Sequence, residues 1–289
     1  MTKKVLIGAD PEFFLSDAKT RIPVSAHGLV PGTKKEPHKL ECGAVQLDGT
    51  AVEFNIEPAA TSFEFEYNIS NVLKQVRKMI PTTYDFNFSP SVVYSQKYFD
   101  AIPAPNKELG CDPDYDALSK NPWLPNNPPR SFATTMRTGA GHIHVGFVDK
   151  KDPLEECHFW DCIELAKRLN SVLSVARKVW DQDTTRYALY GGGAAFRPKS
   201  YGLEYRSPSN AWLNFPKLWS WLFETTREIL YRTVDNDVRL EDFKPLMSPV
   251  YFNYRNPTSK EVFGIYNKKA AEIKMPLIPD DWNAKVAVA

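Results

Sequence analysis

Residues 44–56 read Ala44-Val45-Gln46-Leu47-Asp48-Gly49-Thr50-Ala51-Val52-Glu53-Phe54-Asn55-Ile56, two short arms about an Asp-Gly pair. Asp-Gly between such arms is a strong hairpin signal, because glycine accepts the positive φ that a tight turn requires. In the second arm Val52, Phe54 and Ile56 point one way, while Glu53, Asn55 and Glu57 point the other. One face of this hairpin therefore belongs to a core and the other carries a row of polar groups. An antiparallel sheet with one polar face follows.

Working outward, Thr61 with Glu64 three residues on has the pattern of a capping box. Phe65, Ile69, Val72, Leu73, Val76 and Ile80 then recur at helical spacing until Pro81. Upstream, Val5 to Ile7 reads as a strand entering Gly8, and Phe13 to Leu15 continues it past Pro11. Downstream, residues 100–130 are rich in Pro, Asn and Asp and read as a long loop, of the length that is usually functional or disordered. Ser131 to Arg137 and His142 to Val148 read as a strand pair about Thr138-Gly139-Ala140-Gly141. Asp152-Pro153 with Glu155 opens the longest helix, with proline at its first position. Its inner face is Ile163, Ala166, Asn170, Leu173, Ala176 and Trp180. A Gly-rich loop (Gly191, Gly192, Gly193), a strand at Tyr201 to Arg206 and a helix near Lys217 to Thr233 come next. A second capping box, Thr258 with Glu261, starts the last helix, and an irregular tail begins near Met275. Paired strands with long helices between them make an α+β domain with a largely antiparallel sheet, not a doubly wound βαβ fold.

Composition agrees. A chain of 289 residues with 43% hydrophobic and 25% charged residues can bury a sizeable core, and residues 1–289 read as one domain. Lys+Arg is 36 against Asp+Glu 35, a balance that argues against a polybasic nucleic-acid binder. Apolar runs fall short of the ~20 residues of a membrane span, and an acid appears by Asp10, too early for a signal peptide. The expectation is a cytoplasmic protein with no membrane partner. Four cysteines without a C-x-x-C pair read as reduced thiols.

Four polar clusters carry the candidate chemistry: Gly8-Ala9-Asp10-Pro11-Glu12; Asp48-Gly49 followed by Glu53-Phe54-Asn55-Ile56-Glu57; Gly141-His142-Ile143-His144-Val145-Gly146; and Arg186 to Gly191 with Phe196 to Arg206. Each has a structural alternative. Asp-Pro-Glu occurs in ordinary turns, Glu53 to Glu57 could be a solvated sheet face, and Glu204 and Arg206 could be a salt bridge. Two histidines on one face beside glycines, His142 and His144, point more firmly to a site. If these strands share a sheet, one face carries Asp10, Glu12, Glu53, Glu57, His142, Glu204 and Arg206. So many carboxylates repel unless cations neutralise them, and carboxylate oxygens favour Mg2+ or Mn2+. Arg186, Arg197, Lys199 and Arg206, near a Gly-rich loop, suit anionic phosphates. The chain has no Walker A loop, no G-x-G-x-x-G opening a helix, no nucleophile elbow and no kinase signature set. Zinc on His142 and His144 with a cysteine is a weaker alternative, because H-x-H alone is a weak signal.

Together G-A-D-P-E-F-F, D-G-x-x-V-E-F-N-I-E-P, G-A-G-H-I-H-V-G-F and Y-G-L-E-Y-R-S-P-S-N resemble the phage-type COOH-NH2 ligase family (type 2), within the glutamine synthetase and glutamate–cysteine ligase superfamily. The four motifs stand in the right order over residues 5–215. The resemblance implies a glutamine synthetase-like catalytic fold, a curved antiparallel sheet with helices on its convex side and ATP with Mg2+ or Mn2+ on its concave face. By the same resemblance Glu12, Glu53, Glu57 and Glu204 are metal ligands, and His142 lies between metal and nucleotide with His144 beside it. Arg206, Arg197 and Lys199 contact the transferred phosphoryl group, and Arg186 assists with ATP. The first motif departs from the glutamate-rich pattern of the superfamily, which leaves the share of Asp10 open.

The expected function is ATP-dependent amide-bond formation between a carboxylate and an amine, from small molecules or peptides, through an acyl phosphate. For a phage-encoded chain the compartment would be the host cytoplasm. Asp112, Asp114 and Asp116 form a candidate wall of the amine pocket. The alternatives are a non-catalytic nucleotide- and metal-binding protein on the same fold, and a metal-dependent hydrolase or nuclease. Oligomeric state, acid and amine stay open at this level.

Overall fold

The structure is a computed structural model and describes residues 5–107, 114–126, 135–192, 194–234 and 258–284. Its strands are β1 (Leu6–Asp17), β2 (Pro23–Val24), β3 (His38–Leu40), β4 (Gly43–Asp48), β5 (Ala51–Ile56), β6 (Tyr84–Asn87), β7 (Ser91–Val93), β8 (Tyr115–Asp116), β9 (Met136–Thr138), β10 (Gly141–Gly146), β11 (Ala195–Lys199) and β12 (Gly202–Tyr205). Its helices are α1 (Ser62–Met79), α2 (Gln96–Ala101), α3 (Glu156–Ala176), α4 (Thr184–Leu189), α5 (Lys217–Val234) and α6 (Ser259–Glu272). The architecture is mixed α+β. A ten-stranded antiparallel, unclosed sheet runs β3-β4-β5-β1-β10-β12-β11-β8, with β2 and β6 also on β1.

Alternation builds the two sheet faces. Ile7, Phe13, Val45, Val52, Phe54, Ile143, Val145, Phe196, Leu203 and Tyr205 are buried in one apolar core with residues of α1, α3 and α5. That face takes the helices: α1 on β4 and β5, α3 on β11 and β12, α5 on β1. The residues between them on the central strands are Asp10, Glu12, Gln46, Asp48, Glu53, His142, His144, Arg197, Lys199, Glu204 and Arg206. The hairpin forms as the Asp-Gly pair requires: Asp48 pairs with Ala51 and Gly49 takes φ 56°.

β1 is one twelve-residue strand that runs through Pro11. Proline has no N–H to give a ladder. The β1–β5 pairing is correspondingly short, Glu12 with Glu53 and Phe13 with Val52. Five residues back along β1, Ile7 bridges Ala59, six residues on from Glu53. The one-residue difference is confined to the β1 side: pairing of β5 with β4 stays regular to Gly43 opposite Ile56, and Glu57 falls just past the end of the strand.

Several local expectations change. Met136–Thr138 does not pair with β10 but with β7, because β10 is central and both its edges are taken by β1 and β12. Residues 131–134 lie outside the described residues. Thr61 caps α1 by accepting from Glu64 N at 3.2 Å, but the Glu64 carboxylate accepts from Ala60 N instead. At α6 the full capping box of Thr258 and Glu261 forms. Pro153 is not at the first helical position: α3 starts at Glu156, capped by Glu155 through Cys157 N and His158 N. A carboxylate at that position also favours the positive end of the helix dipole. The tail from Met275 is irregular in backbone, as expected, yet packed, with Met275 and Ile278 buried and Trp282 against Phe215. No helix among the described residues is long and apolar enough to cross a membrane.

Candidate metal and anion centre

Register brings the clusters together. β10 sets His142 opposite Asp10 and His144 opposite Gly8, and β12 sets Glu204 opposite His144. β11 sets Arg197 opposite Glu204. On the other side of β1, Glu12 faces Glu53, which in turn faces Gln46. Gly141 lets β10 come close: a Cβ there would meet Ser209 O at 2.3 Å and Trp212 Nε1 at 2.4 Å.

Asp10 Oδ1 lies 2.9 Å from His144 Nε2 and 3.3 Å from His142 Nδ1. Asp10 Oδ1 and His144 Nε2 are both solvent-excluded, and neither makes an aligned hydrogen bond. His144 Nδ1 is held by the Tyr201 hydroxyl, which fixes the ring. Donor atoms of Asp10, His144 and Glu204 all lie within 4.8 Å of one another. Two ligands placed side by side on an octahedral ion at ~2.1 Å stand ~3 Å apart. The close, unaligned Asp10–His144 pair matches that spacing, so the residues present fit a divalent cation. An imidazole among the donors moves the preference from Mg2+ toward Mn2+ or Zn2+.

Glu204 is the hub and is 1% exposed. Oε1 meets the Arg206 guanidinium and lies 3.4 Å from His142 Nδ1. Oε2 meets Lys199 Nζ at 2.8 Å and Arg197 at 3.2 Å. Arg206 is further gripped by Asp114 Oδ2, 3.2 Å from its Nε, and by the Tyr190 hydroxyl. Burial and the nearby Asp10 push the Glu204 carboxyl up, but Arg206 and the two histidines outweigh them and hold it down to about 2. Burial, aided by Arg206, lowers His142 to about 4, so its proximity to two carboxylates is that of a neutral imidazole and not of an ion pair. Burial opposes the His144 cation, yet Asp10 raises this histidine above its ordinary value. Asp10 itself is held well below the usual carboxylate range: burial raises it, and His144 and His142 overcome that.

The second acid group differs. Burial and Asp48 raise Glu12 to about 7, although it accepts from Ala140 N at 3.1 Å. Burial with Asp10 and Glu12 raises Glu53 well above its ordinary value, and burial also raises Asp48. Gln46 donates to Glu53 at 2.6 Å. Three acids that resist ionising together are what a cation would relieve.

The structure thus brings together Glu12, Glu53, His142, His144, Arg197, Lys199, Glu204 and Arg206. Glu57 does not join them: it is exposed just past the end of β5, and its backbone N–H donates to Cys42 O. Arg186 does not join them either. It is fully buried, and its two terminal nitrogens donate to Ser207 O at 2.8 Å and Pro208 O at 2.9 Å. Asp10, left open by the sequence, is an acid of the triad, and its place opposite His142 is a matter of register. Tyr190, Tyr201 and Asp48 join the site although none is among the ligands and phosphate contacts that the sequence implies. Asp48 was within reach of the alternation argument, since it shares a face with Gln46; the tyrosines carried no signal. Of the loop acids, Asp114 reaches Arg206, Asp116 caps its own turn through Leu118 N, and Asp112 lies outside the described residues, as does Gly193 of the Gly-rich loop. No protein-family model and no curated protein matches the chain.

Proposed function

We propose that this protein is an ATP-dependent carboxylate–amine ligase of the phage-type COOH-NH2 ligase (type 2) family, and that its sheet is the glutamine synthetase-like catalytic fold. The observation that carries the proposal is the solvent-excluded, unaligned pair of Asp10 Oδ1 and His144 Nε2 at 2.9 Å, beside a Glu204 ringed by three cationic side chains. Acids for a metal and bases for a phosphate meet on one polar sheet face, and a reaction that joins two anions needs both.

In this reading Asp10, His144 and Glu204 would hold a Mg2+ or Mn2+ ion, and Glu12 with Glu53 would offer further carboxylates. When bound, the metal would offset the charge of the nucleotide phosphates. Arg206, Arg197 and Lys199 exchange part of their hold on Glu204 for oxygens of the γ-phosphate. The substrate carboxylate attacks the γ-phosphorus and ADP leaves, giving an acyl phosphate. The amine attacks the acyl carbon, phosphate leaves and the amine loses a proton. His142, buried beside Asp10 and Glu204 and lowered to about 4, would help orient the bound groups as a neutral imidazole.

The test is product analysis after incubation with ATP, Mn2+ and pooled carboxylates and amines. ADP and phosphate should form, and 18O from a labelled carboxylate should appear in the phosphate. AMP with pyrophosphate, or phosphate without label, rejects the acyl-phosphate route. The histidine in the donor set favours a metal-dependent hydrolase as the second reading, which is chosen if phosphoesters are cleaved while ATP is untouched.

A further inference from the structure

A cavity of about 300 Å3 lies on the helical side of the sheet, behind β12 and against α3. It is separate from the polar face: Tyr205, in its wall, points away from Glu204 and Arg206 and donates to Asn170 Oδ1 of α3 at 3.1 Å. Leu173, Trp180, Trp212 and Leu222 give it apolar and aromatic walls. Arg177 is the one charged side chain among its lining residues. The guanidinium stacks 3.3 Å from the centroid of the Tyr187 ring and meets no carboxylate among the described residues. Asp181, the nearby acid, is not in the wall. Its carboxylate accepts from Tyr187 Oη at 2.9 Å, Ser209 Oγ at 2.5 Å and Asp183 N at 2.9 Å.

A cation with no counter-ion among the described residues, at the edge of a largely apolar void, is an arrangement suited to an amphiphilic anion. The body of the ligand fills the void and a planar carboxylate takes the guanidinium fork. The Tyr187 ring, tied down by Asp181, holds the guanidinium in place before a ligand arrives, which lowers the ordering cost of binding. We propose that this cavity is a binding site for a small organic carboxylate with an aromatic or branched apolar body, and that Arg177 selects the carboxylate. The site stands on the helical side of β12 and does not depend on the ligase reading.

Titration of tryptophan fluorescence tests it, since Trp180 and Trp212 stand in the wall. The probes are 3-phenylpropionate and its uncharged counterpart 3-phenylpropanol, on the full chain. The carboxylate should bind at least about tenfold more tightly, as expected for one charge-assisted contact. Arg177→Met should erase that preference with unchanged circular dichroism, and Arg177→Gln supplies the same comparison if the methionine variant does not fold. Ser174→Phe, which narrows the cavity and keeps the cation, should weaken both probes. Equal affinity for the two probes, a preference that survives loss of the arginine, or no saturable binding at millimolar concentration would overturn the proposal.

Discussion

Asp114 grips the Nε of Arg206 at 3.2 Å across 92 residues of sequence, and both side chains are buried. Arg206 is thereby held between an acid of the long loop and Glu204 of its own strand. The salt bridge that the Glu204–Arg206 spacing allowed does form, so its existence does not separate structure from catalysis. What separates them is a variant that keeps charge and loses shape.

Arg206→Lys is that variant. Lysine can still pair with Glu204, but it cannot span Asp114, Tyr190 and a phosphate with one planar fork. With the ligase substrates present, kcat should fall by about 10²–10³, as for one lost preorganised contact, with ATP affinity nearly unchanged. A lowered melting temperature with near-normal kcat would return Arg206 to a structural role.

Metal binding should depend on both acid groups unequally. Asp10→Asn removes charge from the triad and should abolish the tightest Mn2+ site in calorimetric titration. Glu53→Gln removes charge only from the second group and should weaken total binding or delete a weaker site. Unchanged stoichiometry and affinity in both variants would leave the polar face without a metal.

The pH dependence of the metal-free protein follows from Glu12. Its folded value, about 7, lies above the ordinary 4.5, so the folded state holds a proton that the unfolded chain has released. The stabilisation is complete below about pH 4.5 and is lost as pH rises through about 7. Melting temperature should drop across that window, and Mn2+ should restore it more at the alkaline end, where protons no longer compete. Glu12→Gln should flatten the profile; a steep profile in that variant would assign the effect to other acids.

Gly141→Ala tests the close approach of β10 to the 207–212 segment. The added Cβ would meet Ser209 O at 2.3 Å and Trp212 Nε1 at 2.4 Å, where backbone on one side cannot yield easily. A loss of about 1–3 kcal/mol in denaturant unfolding is expected for such overpacking. Mn2+ affinity should fall with it, because His142 is the next residue. An unaffected unfolding midpoint would mean that the approach can relax.

The alternation around Asp48-Gly49 was enough to assign a hairpin with one polar face, helical spacing was enough to locate α1, α3 and α5, and the capping box of Thr258 and Glu261 was enough to start α6. These signals are local: a turn needs one glycine, and burial of one face imposes a period of two or 3.6 on the chain. Strand β11 carried no such mark, since Arg197-Pro198-Lys199 breaks any apolar pattern. Its place is fixed by pairing with β12.

For the site, the sequence determined which residue types could share a face: Glu12 with Asp10, His142 with His144, Glu204 with Arg206. Only the tertiary structure decided which of these meet. The end of β5 at Ile56 leaves Glu57 exposed outside the site, burial against two carbonyls removes Arg186, and register sets Asp10 beside both histidines. Side-chain alternation is a property of one strand, whereas register, strand ends and the return of a loop acid such as Asp114 depend on hydrogen bonds between segments far apart in the chain, which no local pattern encodes.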